Sequence, residues 1–129
     1  MFAALFLLAA MAAPAHQSLE RYSQGCSGKA SSQMEMNMCA EQELERADKA
    51  LNAAWVKARA SAKDDPRTTK LLLASQRAWL KYRDAECALV ADLDRGGSIA
   101  PQSQRECAVD LTKERTKDLV EFVQAWKAH

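Results

Sequence analysis

The sequence is poor in residues that break helices and in residues that titrate near neutral pH. It contains four glycines, three prolines and two histidines among 129 residues. So few glycines and prolines favour a compact helical protein. The length is that of one domain and leaves no room for two.

No sign of charge dominates the chain. Its 18 basic and 17 acidic residues are interleaved and give a formal net charge of +1. This pattern lacks both the basic stripe of a nucleic-acid-binding protein and the acidic block of a disordered tail. Charge alone therefore identifies no partner.

Long apolar runs are also missing, since the stretch from Phe2 to Ala13 is too short to span a bilayer. Ala13-Pro14-Ala15 matches the small-x-small pattern of a cleavage site. We predict a signal peptide over residues 1–15 and a single mature domain over residues 16–129; a buried N-terminal helix is the alternative. Polar residues separate Cys26 from the apolar run, so no lipid anchor is expected and the protein should be periplasmic or secreted.

Four cysteines, Cys26, Cys39, Cys87 and Cys107, include no C-x-x-C pair. In an exported domain they predict two disulfides and argue against a zinc site. Cys87 and Cys107 each lie ten residues from Gly97 on facing sides of predicted helices. This favours Cys26–Cys39 with Cys87–Cys107, while Cys39–Cys87 with Cys26–Cys107 is the alternative. Reduction should lower stability.

Capping residues in the sequence predict where the first two helices begin. Ser32 and Glu35 have the spacing of a capping box, so the first helix should begin at Ser32 and run to about Ala62. Asp65-Pro66 predicts the start of the second, and Gly96-Gly97 its end.

The third helix should begin near Ser103, because Ser103 and Glu106 repeat the capping-box spacing, and it should run almost to His129. Three long helices joined by short turns bury their apolar stripes by folding back on each other. The predicted fold is therefore all-α: three long helices in an up-down-up antiparallel bundle, stapled by disulfides.

The stretch from Gln76 to Cys87 is the most informative part of the chain. It places Gln76 and Arg83 on the inner face beside Trp79, where they need polar partners. Counting from the turns brings further polar residues to similar heights. The predicted inter-helical network consists of Asp48, Asn52, Gln76, Arg83 and Arg115. If Arg83 pairs with a buried Asp48, Arg83→Ala should cost about 3 kcal/mol.

Catalytic and metal sites are not predicted. One carboxylate facing two guanidiniums offers no group suited to proton transfer near neutral pH. The histidines His16 and His129 lie at the two ends of the mature chain, which argues against a Ser-His-Asp or Cys-His site. Met34, Met36 and Met38 alternate with a period of two, which on a helix forms no copper-binding stripe. We expect neither an enzyme nor a cofactor.

Several segments together resemble the LprI-type family, which is named for a mycobacterial lysozyme inhibitor. These segments are Cys26, Met36-Asn37-Met38-Cys39-Ala40, Ala47-Asp48-x-x-Leu51-Asn52, Gln76-Arg77-Ala78-Trp79-x-x-Tyr82-Arg83-Asp84-x-x-Cys87, Gly97-Ser98 and Cys107-x-x-x-Leu111-Thr112-x-x-Arg115-x-x-x-Leu119. The resemblance implies an exported bacterial domain, and the named member implies inhibition. Trp55 stands where the family usually shows Tyr.

Two functions follow as hypotheses. The first is a binding module that inhibits a lysozyme-like muramidase, whose cleft with two carboxyl groups would admit a protruding loop. The candidate loop residues are Asp94, Gly96, Gly97, Ser98 and Ile99. Against it, a net charge near +1 gives little steering towards a basic lysozyme. The second is a periplasmic structural or stress-related interaction protein with no enzyme target.

Overall fold

A computed structural model describes residues 26–129. The predicted signal peptide and the start of the mature chain lie outside the described residues. The described part consists of a short 3₁₀ helix and three long helices, with no strand. Their bounds are Cys26–Lys29 for the 3₁₀ helix, Gln33–Ser61 for α1, Pro66–Asp92 for α2 and Ala100–Lys127 for α3. The predicted all-α fold with three long helices is confirmed.

The first two helices begin where the sequence signals lie. Ser32 Oγ accepts a hydrogen bond from the Glu35 amide at 3.2 Å, and Asp65 Oδ1 accepts one from the Thr68 amide at 2.9 Å. The Glu35 carboxylate accepts from the amide of Ser31 at 2.7 Å, one residue before the position that a capping box uses. At the start of both helices, a backbone amide is thus capped by the side chain of the residue that precedes the helix.

The predicted start of the third helix is wrong. α3 begins at Ala100, three residues before Ser103, and its cap Ile99 makes no side-chain hydrogen bond. Ser103 Oγ donates instead to Asp94 in the preceding loop, and Glu106 accepts from the Gln102 side chain at 2.7 Å. Both members of the expected capping box are occupied by other partners, so the box does not form.

The loop between α2 and α3 begins earlier than the glycines suggest. α2 ends at Asp92, and the chain continues through turns before Gly96 adopts a φ of +81°. That left-handed conformation is one in which glycine meets no steric penalty. The glycine therefore shapes the loop, whereas the helix has already ended.

Contacts at both ends of the bundle show that α1 and α3 run parallel. At the start of each helix, Gln33 Nε2 donates to Gln102 Oε1 at 2.7 Å. At the other end, Trp126 Nε1 donates to the Ser61 carbonyl at 2.9 Å. α2 runs antiparallel to both and lies closer to α3 than to α1. The first and third helices are thus the most extensive neighbours in this up-down-up bundle.

Small residues explain how α1 and α3 approach so closely. The buried residues of α1 include Ala40, Ala47, Ala54 and Ala58. A helix axis can approach its neighbour more closely where the contacting side chains are small. The apolar core lies towards the α1–α2 turn, where partly buried aromatic side chains surround it. Its buried members are Leu51, Ala54, Ala58, Leu72 and Leu119.

α2 is less deeply embedded than its neighbours. Only Leu72, Gln76 and Cys87 are buried along its length. Several large apolar side chains of the same helix remain exposed. Over residues 26–129, no helix combines the length and the apolar character that crossing a bilayer requires.

Candidate functional site

The two disulfides tie the helices together at the end of the bundle that carries the α2–α3 loop. Cys26 pairs with Cys39, and Cys87 pairs with Cys107, each with a Cα–Cα distance of 5.5 Å. This is the pairing that the sequence favoured over its alternative. The first bridge holds the 3₁₀ helix to α1, and the second joins α2 to α3. The start of α3 and the end of α2 are therefore fixed beside the loop.

Arg83 lies between all three helices. Its Nη1 donates to Asp48 Oδ1 at 3.2 Å and to Thr112 Oγ1 at 3.3 Å, and its Nε donates to Asp84 Oδ1 at 3.1 Å. The guanidinium also stands 5.3 Å from the centre of the Trp79 ring, within the range of a cation–π contact. Thr112 is fully buried and was not part of the predicted network.

Arg115 forms a separate group between α2 and α3. Its Nε donates to Gln76 Oε1 and its Nη2 to Ser75 Oγ, both at 2.9 Å. Burial lowers the pKa of the Arg115 guanidinium, and Asp118 partly opposes that shift. The residues predicted as one network thus divide into two groups, one around Arg83 and one around Arg115.

Asn52 joins neither group, because it is exposed on α1. It follows Asp48 by four residues, which rotates its side chain by about 40° around the helix axis. That rotation carries Asn52 out towards solvent. The prediction that Asn52 belongs to the network is therefore wrong.

We expect Arg83→Ala to lower the free energy of unfolding by about 2 kcal/mol. The change leaves the buried Thr112 hydroxyl without this donor and removes the contact with Trp79. The cost of about 3 kcal/mol expected from the sequence assumed that the Asp48 carboxylate is buried. The Asp48 side chain is 44% exposed, so water replaces part of the lost interaction, whereas Arg83 is 15% exposed.

Urea unfolding of the two chains measures this effect. Arg77→Ala is the control, because Arg77 is an exposed arginine on the same helix. The control should change stability by no more than about 0.5 kcal/mol. Equal effects of the two substitutions would show that Arg83 contributes nothing through its contacts.

The candidate loop is held by a chain of hydrogen bonds that the sequence did not reveal. Asn37 Nδ2 donates to the Ser98 carbonyl at 3.1 Å, and Asn37 Oδ1 accepts from Gln33 Nε2 at 2.9 Å. The same Gln33 nitrogen donates to Gln102 Oε1. The side-chain nitrogen of Gln102 in turn donates to Glu106 Oε1 at 2.7 Å. Gln102 is buried, so these bonds form in surroundings where they contribute most.

A second set of contacts fixes the other side of the loop. Asp94 accepts a hydrogen bond from Ser103 Oγ, and its carbonyl accepts one from the Gly97 amide at 2.9 Å. Arg95 pairs with Asp92 one turn earlier, which raises the pKa of the Arg95 guanidinium. Gly96, Gly97, Ser98 and Ile99 are exposed. The backbone of the loop is therefore ordered while its side chains face solvent.

Glu106, at the end of the hydrogen-bond chain, has a raised pKa. Burial raises the pKa of Glu106, and Asp110 raises it further, whereas the bond from Gln102 acts in the opposite direction. An acid whose pKa is higher in the folded chain binds protons more tightly there than in the unfolded chain. Its ionisation therefore opposes folding above the folded-state pKa, and this penalty fades as the pH falls towards the unfolded value.

Glu106→Gln should consequently stabilise the chain at neutral pH more than at about pH 4, near the usual value for glutamate. The glutamine oxygen can still accept the bond from Gln102, so the substitution removes mainly the charge. Melting temperatures of both chains over this range test the prediction. A difference between the chains that is the same at both ends of the range would contradict a raised pKa at Glu106.

One depression in the described part of the chain is too small for a typical small-molecule site. A depression beside the Cys26–Cys39 disulfide has a volume of about 210 Å³. Small-molecule sites usually range from about 300 to 1,000 Å³. Within residues 26–129, no three His, Cys, Asp or Glu side chains are placed to hold a metal ion.

Comparison with known proteins places the chain in a family. The family described as "Lysozyme inhibitor LprI" matches residues 26–119. The uncharacterized protein R02472 of Rhizobium meliloti (strain 1021) is 36% identical, over 75% of this chain and 78% of that protein. The uncharacterized protein YecT of Escherichia coli (strain K12) is 34% identical, over 63% of this chain and 58% of that protein. No solved structure matches significantly. The chain belongs to the LprI lysozyme-inhibitor family.

Proposed function

We propose that this chain is an exported binding module that inhibits a lysozyme-like muramidase through the loop from Asp94 to Ile99. Membership of the lysozyme-inhibitor family is the observation that carries the proposal. The two disulfides support an oxidising location, either the periplasm or the exterior of the cell. The protein acts by binding and has no catalytic role of its own.

The loop has the mechanical properties that an inhibitor needs. The Ser98 carbonyl is tied to α1 through Asn37, and the Asp94 side chain is tied to α3 through Ser103, so little conformational entropy is lost when the loop enters a cleft. Ile99 offers an exposed apolar contact, and Ser98 offers a hydroxyl. A muramidase cleft lined by two carboxyl groups can receive such a projection.

Local charge also favours this end of the molecule. Residues 84–110 contain six acidic residues and two arginines, although the whole chain has a net charge of only +1. The acidic residues are Asp84, Glu86, Asp92, Asp94, Glu106 and Asp110. A basic lysozyme would be attracted to this end even though the average charge predicts little steering.

The test is inhibition of muramidases by the purified chain in a cell-wall clearing assay. The double substitution Ser98→Glu and Ile99→Glu should abolish inhibition, because it sets two carboxylates against the carboxyl groups of the cleft. Lys63→Glu is the control: it changes the net charge by the same amount in the exposed turn at the opposite end of the bundle. This control should inhibit as the unmodified chain does.

Both variants should retain the melting temperature of the unmodified chain, since Ser98 and Ile99 are exposed. Full inhibition by the loop variant would remove the loop from the proposal. Failure of the unmodified chain to inhibit any muramidase would instead favour an envelope interaction protein with no enzyme target.

A further inference from the structure

α2 carries a second apolar stripe besides the one that faces the core. Leu71, Tyr82, Leu89 and Leu93 are all more than half exposed. With Ala78 and Ala85 between them, they follow spacings of seven, four, three, four and four residues. At about 100° per residue, this stripe lies roughly 130° around the helix from the buried face of Leu72, Gln76 and Cys87. One long side of α2 is therefore apolar and uncovered in the described chain.

The charges of α2 are divided between its two halves. Residues 66–83 contain Arg67, Lys70, Arg77, Lys81 and Arg83 and no acid. Residues 84–92 contain Asp84, Glu86 and Asp92 and no base. Asp84 pairs with Arg83, and Asp92 pairs with Arg95 just after the helix. Tyr82 lies next to the boundary. Such a helix is electrostatically complementary to an antiparallel copy of itself, whereas a parallel copy would place like charges together.

We propose that the exposed stripe of α2 is a self-association surface, on which two copies of this chain pair in antiparallel orientation about a two-fold axis near Tyr82. Leu71 and Leu93 each lie eleven residues from Tyr82. The two-fold axis therefore brings Leu71 of one copy against Leu93 of the other. Ala78 and Ala85 lie four and three residues from Tyr82, so they come within one residue of each other close to the axis. The basic half of each α2 then faces the acidic half of the other.

Other occupants fit this surface less well. An anionic membrane would attract the basic half of α2 and repel the acidic half. A partner of one charge sign would meet the same conflict. The surface is independent of the proposed inhibition, because Ser98 and Ile99 lie beyond the stripe and remain accessible at the two opposite ends of the paired helices.

Sedimentation equilibrium of the purified chain, at concentrations reaching the millimolar range, measures association. We expect a reversible dimer. Leu89→Lys should weaken dimerisation by more than about tenfold, because it places a charge in the apolar contact. Val56→Lys is a matched control, since Leu89 and Val56 are both 65% exposed but lie on different helices. The control should dimerise normally, and both variants should retain their melting temperatures.

Single cysteines test the orientation of the two copies. Tyr82→Cys should give a covalent dimer when oxidised glutathione is added as the electron acceptor, because the two-fold axis brings the two positions together. Leu71→Cys should not, because antiparallel pairing separates the two copies of that position by about 33 Å. Covalent dimers at both positions would indicate parallel pairing and overturn the proposal. A chain that stays monomeric, or an equal loss of association in Leu89→Lys and Val56→Lys, would overturn it as well.

Discussion

Replacing Cys87 and Cys107 together by alanine is expected to lower the free energy of unfolding by about 3 kcal/mol. The disulfide spans 20 residues, and closing a loop of that length removes entropy from the unfolded chain. It joins α2 to α3 at the end where α2 has few other buried residues, and Cys87 itself is almost completely buried. Urea unfolding followed by circular dichroism gives the change.

The other disulfide provides the comparison. Cys26 is exposed, and the 3₁₀ helix that it anchors packs mainly against α1 among the described helices. Replacing Cys26 and Cys39 should therefore release a local segment and have a smaller effect on global unfolding. If the two double substitutions lowered stability equally, the link between α2 and α3 would have no special importance for the bundle.

Leu119→Ala should also destabilise the chain by about 3 kcal/mol. Leu119 is 2% exposed and belongs to the core cluster with Leu51, Ala58 and Leu72. Removing its side chain loses apolar burial and leaves a cavity that rigid helices fill only in part. Phe122 and Val123 pack against the same cluster and hold its shape, so the cavity should persist and the cost should stay near this value.

The neighbouring Val120 supplies a control for this substitution, since it is 45% exposed on the same helix turn. Val120→Ala should change the free energy of unfolding by no more than about 0.5 kcal/mol. Both values come from urea unfolding. A cost below about 1 kcal/mol for Leu119→Ala would mean that the core closes around the missing side chain.

Helix positions were predictable where the signal was local. Ser32 and Asp65 cap helices whose first amides are only three residues away, so short sequence spacings suffice. Ser103 and Glu106 show the same spacing, yet Asp94 and Gln102 hold their side chains. The sequence gives no indication that these competing partners lie nearby, because the loop places them there.

The candidate site was predictable only in part, for a related reason. Counting from the turns gives the heights of residues on consecutive helices. It brings Arg83 near Asp48, and it sets Arg115 opposite Trp79, about one turn from its actual partner Gln76. Height does not fix the angle around a helix, so Asn52 was misplaced. Counting from turns also ignores the contact between the first and third helices. The bonds from Gln33 to Gln102 and from Asn37 to Ser98 were therefore missed.

The parallel contact between α1 and α3 also determines when the chain can fold. Gln33 and Gln102 are 69 residues apart, and Ser61 and Trp126 are 65 residues apart. During synthesis, α1 must therefore wait for the last helix to leave the ribosome before its alanine-lined face is covered. Contacts between such distant segments slow folding, because a long loop must close before they form. An incomplete chain would therefore leave the alanine-lined face of α1 exposed to solvent.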